Sequence, residues 1–239
     1  MNLFYSTDVY DTECTLGEEE SKHAIGVLRL SAGDEIHVTD GKGSLYDGII
    51  SSTDNRICNV EILRKLPERN RRFSKVHIAI APTKNNIRFE WFLEKACEIG
   101  IDAITPIICE HSERRNLQED RLNRILVGAM KQSQTLYLPV LNPIISVEEF
   151  MSSAELNTGN AFIAYYDEDN KDLSAVCASG EDALVLIGPE GDFSESEREK
   201  ANSVGIVAVN LGHTRLRTET AAIVAVHTIS LLNNQMLKQ

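Results

Sequence analysis

The chain changes its hydrophobic rhythm once, across RKLPERNRR (64–72), and that change limits the folds open to it. After it, buried-strand runs alternate with helical patterns. KVHIAIAP (75–82) reads as a buried strand. NIRFEWFLEKACEIG (86–100) reads as a helix, with Trp91, Phe92, Ala96 and Ile99 at helical spacing and Gly100 where a terminating glycine belongs. IDAITPII (101–108) is a strand broken by Pro106, and EDRLNRILVGAMKQSQT (119–135) is a second helix. AFIAYYD (161–167), ALVLIG (183–188) and GIVAVNLG (205–212) are further strands. This alternation predicts an α/β domain with a mainly parallel sheet covered on both faces. Before the change, residues 1–66 read mainly as short strands. EIHVTDGKGSLYDGII (35–50) is a hairpin signal, RICNVEIL (56–63) alternates again, and one helix intrudes at 18–29. That density of strands predicts a small β-barrel. The expected domains are therefore 1–70 and 73–239. The linker between them holds Arg64, Lys65, Arg69, Arg71 and Arg72 around Pro67.

Composition narrows the function classes. A chain of 239 residues can bury a real core. The first thirty residues carry six carboxylates and no cationic segment leading into an apolar one, unlike a secretory signal. No apolar run approaches the roughly 20 residues of a membrane span. The five cysteines are scattered and form no CxxC pair, which fits reduced thiols in a cytoplasm and no metal site. A net charge of −12 argues against indiscriminate nucleic-acid binding, but not against a protein whose cations are gathered in one place.

LVLIGPEGDFSESE (184–197) runs from strand through a glycine turn into a helix, which Ser194 and Glu197 open as a capping box. Ligands collect at the C-terminal ends of parallel strands, where glycines admit them closely and free N–H groups hold polar atoms. Neither GK[ST] nor GxGxxG is present, so this is no P-loop and no dinucleotide fingerprint. The next strand ends in NLGHTRLRTETAAIVAVHTI (210–229), with Gly212 at its end, Arg215 and Arg217 behind it, and Thr218 as expected N-cap. The helix that follows, 219–232, is apolar nearly all round, so it belongs in a core or against another subunit.

Together, IGPEGDFSESE and LGHTRLRTETAA resemble the signature of the SPOUT methyltransferases, and most closely the family of uridine N3-methyltransferases of small-subunit ribosomal RNA. The matching residues are Gly188, Pro189, Glu190 and Gly191, then Leu211, Gly212 and Leu216 through Ala221. Residues 84–107 and HAIGVLRLSAGDEIHVTDGKG (23–43) are also similar to family blocks, in the same order. The resemblance implies an N-terminal PUA-like RNA-binding barrel, a C-terminal domain with a deep trefoil knot, a homodimer and S-adenosylmethionine in the knot. The chain departs from the family at Asp192, which replaces a glycine. It also lacks arginines in its opening MNLFYS, and Lys131 and Thr135 stand where the family has an acid and an arginine.

The resemblance implies that the two loops hold the adenosyl group by their backbone, with Ile187, Leu211 and Leu216 against the base. Gly188, Glu190, Gly191, Gly212, Arg217, Thr218 and Ala221 complete the expected cofactor site. Tyr165 and Tyr166 either close a third wall or form an ordinary strand-end pair. Removing the N3 proton of uridine needs a base, or a cation that stabilises negative charge on the ring. Arg217 is the candidate cation, or else a structural arginine paired with Glu219. Glu190 and Glu219 either act as base, orient Arg217 or hold their loops. His213 is a titratable loop residue or a solvated one. Arg29, Lys84, Arg88, Arg114, Arg115, Arg121, Arg124 and Lys131 are the candidate RNA contacts, with Arg121, Arg124 and Lys131 forming a stripe on one helix that is either that or a solvated face. The expected function is methyl transfer to small-subunit ribosomal RNA. The alternatives are an RNA-binding or assembly protein that keeps the fold without turnover and, more remotely, an unrelated nucleotide-dependent α/β enzyme.

Overall fold

A computed structural model describes residues 2–67, 74–153 and 159–236. Arg69, Arg71 and Arg72 of the linker lie outside them. The chain divides into two compact units, one of residues 1–71 with 130–138 and one of residues 72–129 with 139–239.

In the first unit, β1 (Leu3–Tyr5), β2 (Glu13–Thr15), α1 (Glu18–Lys22), β3 (Glu35–Thr39), β4 (Leu45–Ser52) and β5 (Asn59–Leu66) follow in order. Their sheet runs β1-β3-β4-β5-β2. Strands adjacent in sequence thus sit at opposite ends of the sheet, which must curl to bring them together. Ser6 Oγ, just past β1, donates to the Thr15 carbonyl of β2 at 2.7 Å and links the two edges. Phe4, Leu16, Ile36, Val38, Ile50 and Val60 fill the interior. The β3–β4 connection is longer than a two-residue turn, and Asp40 Oδ1 organises it by accepting from the Lys42 and Ser44 amides. The helix expected over 18–29 is shorter: α1 passes into a π-helical turn at His23–Val27 and stops at Arg29, whose φ is +57°. Arg64 and Lys65 belong to β5 rather than to a linker. Arg64 lies opposite Asp47 in the sheet and bonds it at 2.7 Å.

The second unit holds β6 (Val76–Ile80), α2 (Asn86–Ile99), β7 (Ala103–Ile108), α3 (Glu119–Ser133), β8 (Val140–Leu141), β9 (Ile145–Ser146), α4 (Val147–Met151), β10 (Asn160–Ala164), β11 (Lys171–Asp172), α5 (Leu173–Val176), β12 (Ala183–Ile187), α6 (Glu195–Ser203), β13 (Val207–Asn210) and α7 (Thr218–Met236), with the end of α3 from Met130 counted in the first unit. The sheet order is β11-β13-β10-β12-β6-β7-β8, with β9 beside β7, and every pair described is parallel. Side-chain alternation sends Ala79, Ile163, Leu184 and Leu186 to one face, where α4 and α6 cover them. Ile78, Ile80, Val185 and Ile187 face the opposite way, towards α7, which packs on α2.

Three local expectations change. Pro106 does not break β7: it pairs in register with Ile80, at the point where the other neighbour of β7 changes from β8 to β9, so its missing N–H falls in a gap of the ladder. Trp91 is 42% exposed, because the buried stripe of α2 is Phe89, Phe92, Leu93, Ala96 and Cys97, and Trp91 is turned off it. Thr218 is the first residue of α7 rather than its cap, since the Arg217 carbonyl already accepts the Ala221 amide at 2.8 Å. All five cysteines are buried thiols outside any disulfide, and burial pushes the Cys109 and Cys177 thiols up, that of Cys177 to about 11.

Candidate active site

Parallel strands end on one edge of their sheet, so the loops after β6, β7, β10, β12 and β13 gather there. β12 delivers Gly188, Pro189, Glu190 and Gly191. The turn closes through the Asp192 amide, which donates to the Pro189 carbonyl at 2.9 Å. Gly191 is obligatory for space: a Cβ there would lie 2.9 Å from Cβ of His111. Glu190 is committed, because its Oε1 accepts the Lys84 amide at 3.0 Å and so ties the loop after β6 to the glycine turn.

Asp192 has a φ of +65°, a conformation in which glycine is at ease. Its carboxylate compensates. Oδ1 accepts the Phe193 amide at 2.7 Å and Oδ2 accepts Arg198 Nη2 at 2.8 Å. The Arg198 guanidinium in turn lies 4.3 Å from the centroid of the Tyr165 ring. Tyr165 at the end of β10, the glycine turn and α6 are thereby joined by one cation. The capping box expected at Ser194 and Glu197 is present, and the Glu197 carboxylate also accepts the Glu110 amide at 2.8 Å.

The second loop leaves β13 at Asn210, whose side chain bonds Asp167 and Asn170 of the loop after β10. Gly212 takes a φ of +110°. Leu211 and Leu216 are half-buried, while His213 and Arg217 are exposed. Thr218 and Glu219 are buried at the start of α7. Glu219 does not pair with Arg217: its Oε1 faces Arg88 Nε of α2 at 3.7 Å, and its Oε2 is buried without a hydrogen-bond partner. The site edge thus holds an exposed cation, a buried carboxylate with an unmet acceptor, and glycine-lined backbone.

The expected RNA contacts separate. Lys84, Arg114 and Arg115, with Glu113 and Asn116, line a recess of about 300 Å³ after β6 and β7. Arg88 turns to Glu219, Arg121 makes a two-pronged bond to Glu90, and Arg124 Nε contacts the Asp120 carbonyl. Lys131 departs from the expected stripe. Its ammonium is largely buried against both oxygens of Glu20, at 2.6 and 2.8 Å, and over the Phe4 ring, all within the first unit. Arg29 is exposed on that unit. The sequence reading missed Arg198, His111, Asn85 (the side-chain cap of α2) and Asn210. Only Asn85, an N-cap residue directly before a helical pattern, had a local signal.

Residues 69–230 match the model of the RNA methyltransferase domain. The chain belongs to the RNA methyltransferase family. Residues 16–63 match the RNA methyltransferase PUA domain, which falls on the curled N-terminal sheet. A probable rRNA-methyltransferase from Porphyromonas gingivalis is 40% identical, with a TM-score of 0.90 over 99% of this chain and all of that one. Ribosomal RNA small subunit methyltransferase E of Rickettsia conorii is 26% identical over 87% of this chain and 85% of its own length. The enzyme of that name from Neisseria gonorrhoeae, solved bound to S-adenosyl methionine, is 26% identical with a TM-score of 0.86, covering 97% of this methyltransferase and 98% of that chain. The residues of this family member fit that cofactor: a sulfonium with an ammonium suits a site edge where a buried carboxylate has an unmet acceptor.

Proposed function

We propose that the chain is an S-adenosylmethionine-dependent methyltransferase acting at N3 of a uridine in small-subunit ribosomal RNA. The observation that carries this is the pairing of two glycine-bounded loops at one edge of a parallel sheet, in a fold shared over nearly its whole length with an enzyme solved with the methyl donor. Binding without turnover, the alternative reading, has no observation in its favour. The donor, when bound, supplies an electrophilic methyl group. The loops 186–191 and 210–218 hold its adenosyl part through backbone N–H and C=O groups. Ile187, Leu211 and Leu216 flank the base, Tyr165 closes the third wall, and Ala221 leaves room at the first turn of α7.

Arg217 is exposed at the mouth of this site, and it stabilises the negative charge that spreads onto the uracil oxygens as N3 loses its proton. Glu190 holds the loop after β6 to the glycine turn, its Oε1 accepting the Lys84 amide. Glu219 orients Arg88 and presents its unmatched oxygen to the donor's cationic part. The curled unit, expected over 1–70, grips RNA, and the unit expected over 73–239 does the chemistry. The strand order, in which β13 crosses back to the far side of β10, supports the implied knot. The protein acts as a homodimer in the cytoplasm, where small-subunit RNA is assembled. Ile87 and Trp91, one turn apart on α2, and Leu231 on the adjoining α7 leave apolar surface for a second copy.

The test is transfer of labelled methyl groups to small subunits from cells lacking this protein. Wild type is expected to label uridine N3. Arg217→Ala is expected to lose roughly 10²-fold or more in kcat, with donor affinity changed only a few-fold. A wild-type protein that does not bind the donor overturns the assignment. An Arg217→Ala protein that keeps its full rate removes Arg217 from the chemistry.

A further inference from the structure

The recess after β6 and β7 is fastened to the glycine turn by an unusual use of Lys84. Its backbone is held on both sides: its amide donates to Glu190, and its carbonyl accepts Nε and Nη2 of Arg114, at 3.3 and 2.9 Å. Its side chain is 71% exposed and pairs with Glu113 Oε2 at 2.7 Å. Arg115 and Asn116 complete the lining. Three cations around a concave surface gather positive charge locally, on a protein of net charge −12. One carboxylate stands inside it, in an exposed ion pair of the kind that opens cheaply.

We propose that this recess takes a backbone phosphate of the RNA substrate, and that Glu113 is its built-in competitor. Lys84 exchanges the Glu113 carboxylate for the phosphate, and Arg114 and Arg115 add charge-assisted hydrogen bonds. The inference rests on the RNA methyltransferase reading and deepens it, since Lys84 and Glu190 set the phosphate's distance from the cofactor loop. Glu113 serves specificity: a loosely held polyanion must displace it at a cost, whereas the correct RNA, anchored elsewhere, offsets that cost through its other contacts.

Binding of labelled small-subunit RNA transcript and of poly(U) is measured against potassium chloride concentration, on the full chain, for wild type, Glu113→Gln, Arg115→Gln and Arg115→Lys. Arg115→Gln is expected to weaken both RNAs several-fold. It should also make the slope of log K against log salt shallower by about 0.7, the share of one phosphate contact on single-stranded RNA. Arg115→Lys should restore most of that slope. Glu113→Gln should tighten poly(U) several-fold, more than the transcript, so that discrimination falls. An unchanged slope in Arg115→Gln, or poly(U) binding unchanged or weakened in Glu113→Gln, overturns the proposal. Donor binding is followed in parallel by calorimetry. Its absence in wild type would count against the methyltransferase assignment, while the RNA data would still decide the recess.

Discussion

Asp192 stands at a φ of +65°, a conformation in which glycine is at ease, and its side chain makes the position tenable. Replacing it with alanine keeps the backbone strain, roughly 1–2 kcal/mol for an L-residue, and removes two hydrogen bonds, one of them to a cation. Replacing it with glycine removes the bonds but relieves the strain. In urea unfolding, Asp192→Ala is therefore expected to cost more than Asp192→Gly, by about 1 kcal/mol. Equal losses would show that the backbone conformation is unstrained. His77 supplies a second test. Desolvation lowers its pKa to about 4, and Nε2 shares a 2.7 Å hydrogen bond with Thr105 Oγ1. The unfolded chain, with an ordinary imidazole near 6.5, binds the proton more tightly than the folded one. Stability from this group is thus fully present above about pH 6.5 and lost as pH falls towards 4, by an amount on the order of 3 kcal/mol. His77→Gln should flatten that part of the stability–pH curve. A curve of unchanged shape would mean that His77 is not the group titrating.

At the scale of elements, the start of α6 joins helix and loop. Ser194 and Glu197 cap each other's backbone, and Glu197 also receives the Glu110 amide. Losing the serine removes one cap, for about 1 kcal/mol. Losing the glutamate to alanine leaves two amides, those of Ser194 and Glu110, without their acceptor, at about 1–3 kcal/mol each when buried. Glu197→Ala should therefore be clearly the more destabilising change by thermal or urea unfolding, and the reverse order would mean that water replaces the carboxylate. These elements were legible in sequence because their signals are local: the S-x-x-E spacing, the i, i+3, i+4 stripe, the apolar strand runs. Pro106 misled for an instructive reason. Whether a proline interrupts a strand depends on what the neighbouring strand offers at that register, and that neighbour, β8 giving way to β9, lies more than thirty residues further along the chain.

For the whole molecule, the question is what covers the apolar surface at Ile87, Trp91 and Leu231. If a second copy does, Ile87→Glu with Trp91→Glu should shift light-scattering mass from dimer to monomer while the far-UV circular dichroism stays the same. A wild type that is monomeric at micromolar concentration would leave that surface to another partner. None of the described helices is long and apolar enough to cross a membrane, so a bilayer-spanning use of α7 is not among the options.

The sequence by itself determined the layer order, the two glycine loops, the capping box and the family, because each is written in residues close together or in blocks repeated in order. Tertiary structure alone decided the partners of the charges. Arg217 and Glu219, two residues apart, do not meet; Glu219 faces Arg88. Lys131 is spent on Glu20, and Lys84, Arg114 and Arg115 converge while the remaining candidate RNA contacts do not. Long side chains choose partners by where the backbone folds them, and the fold joins residues a hundred positions apart. No spacing along the chain encodes that choice.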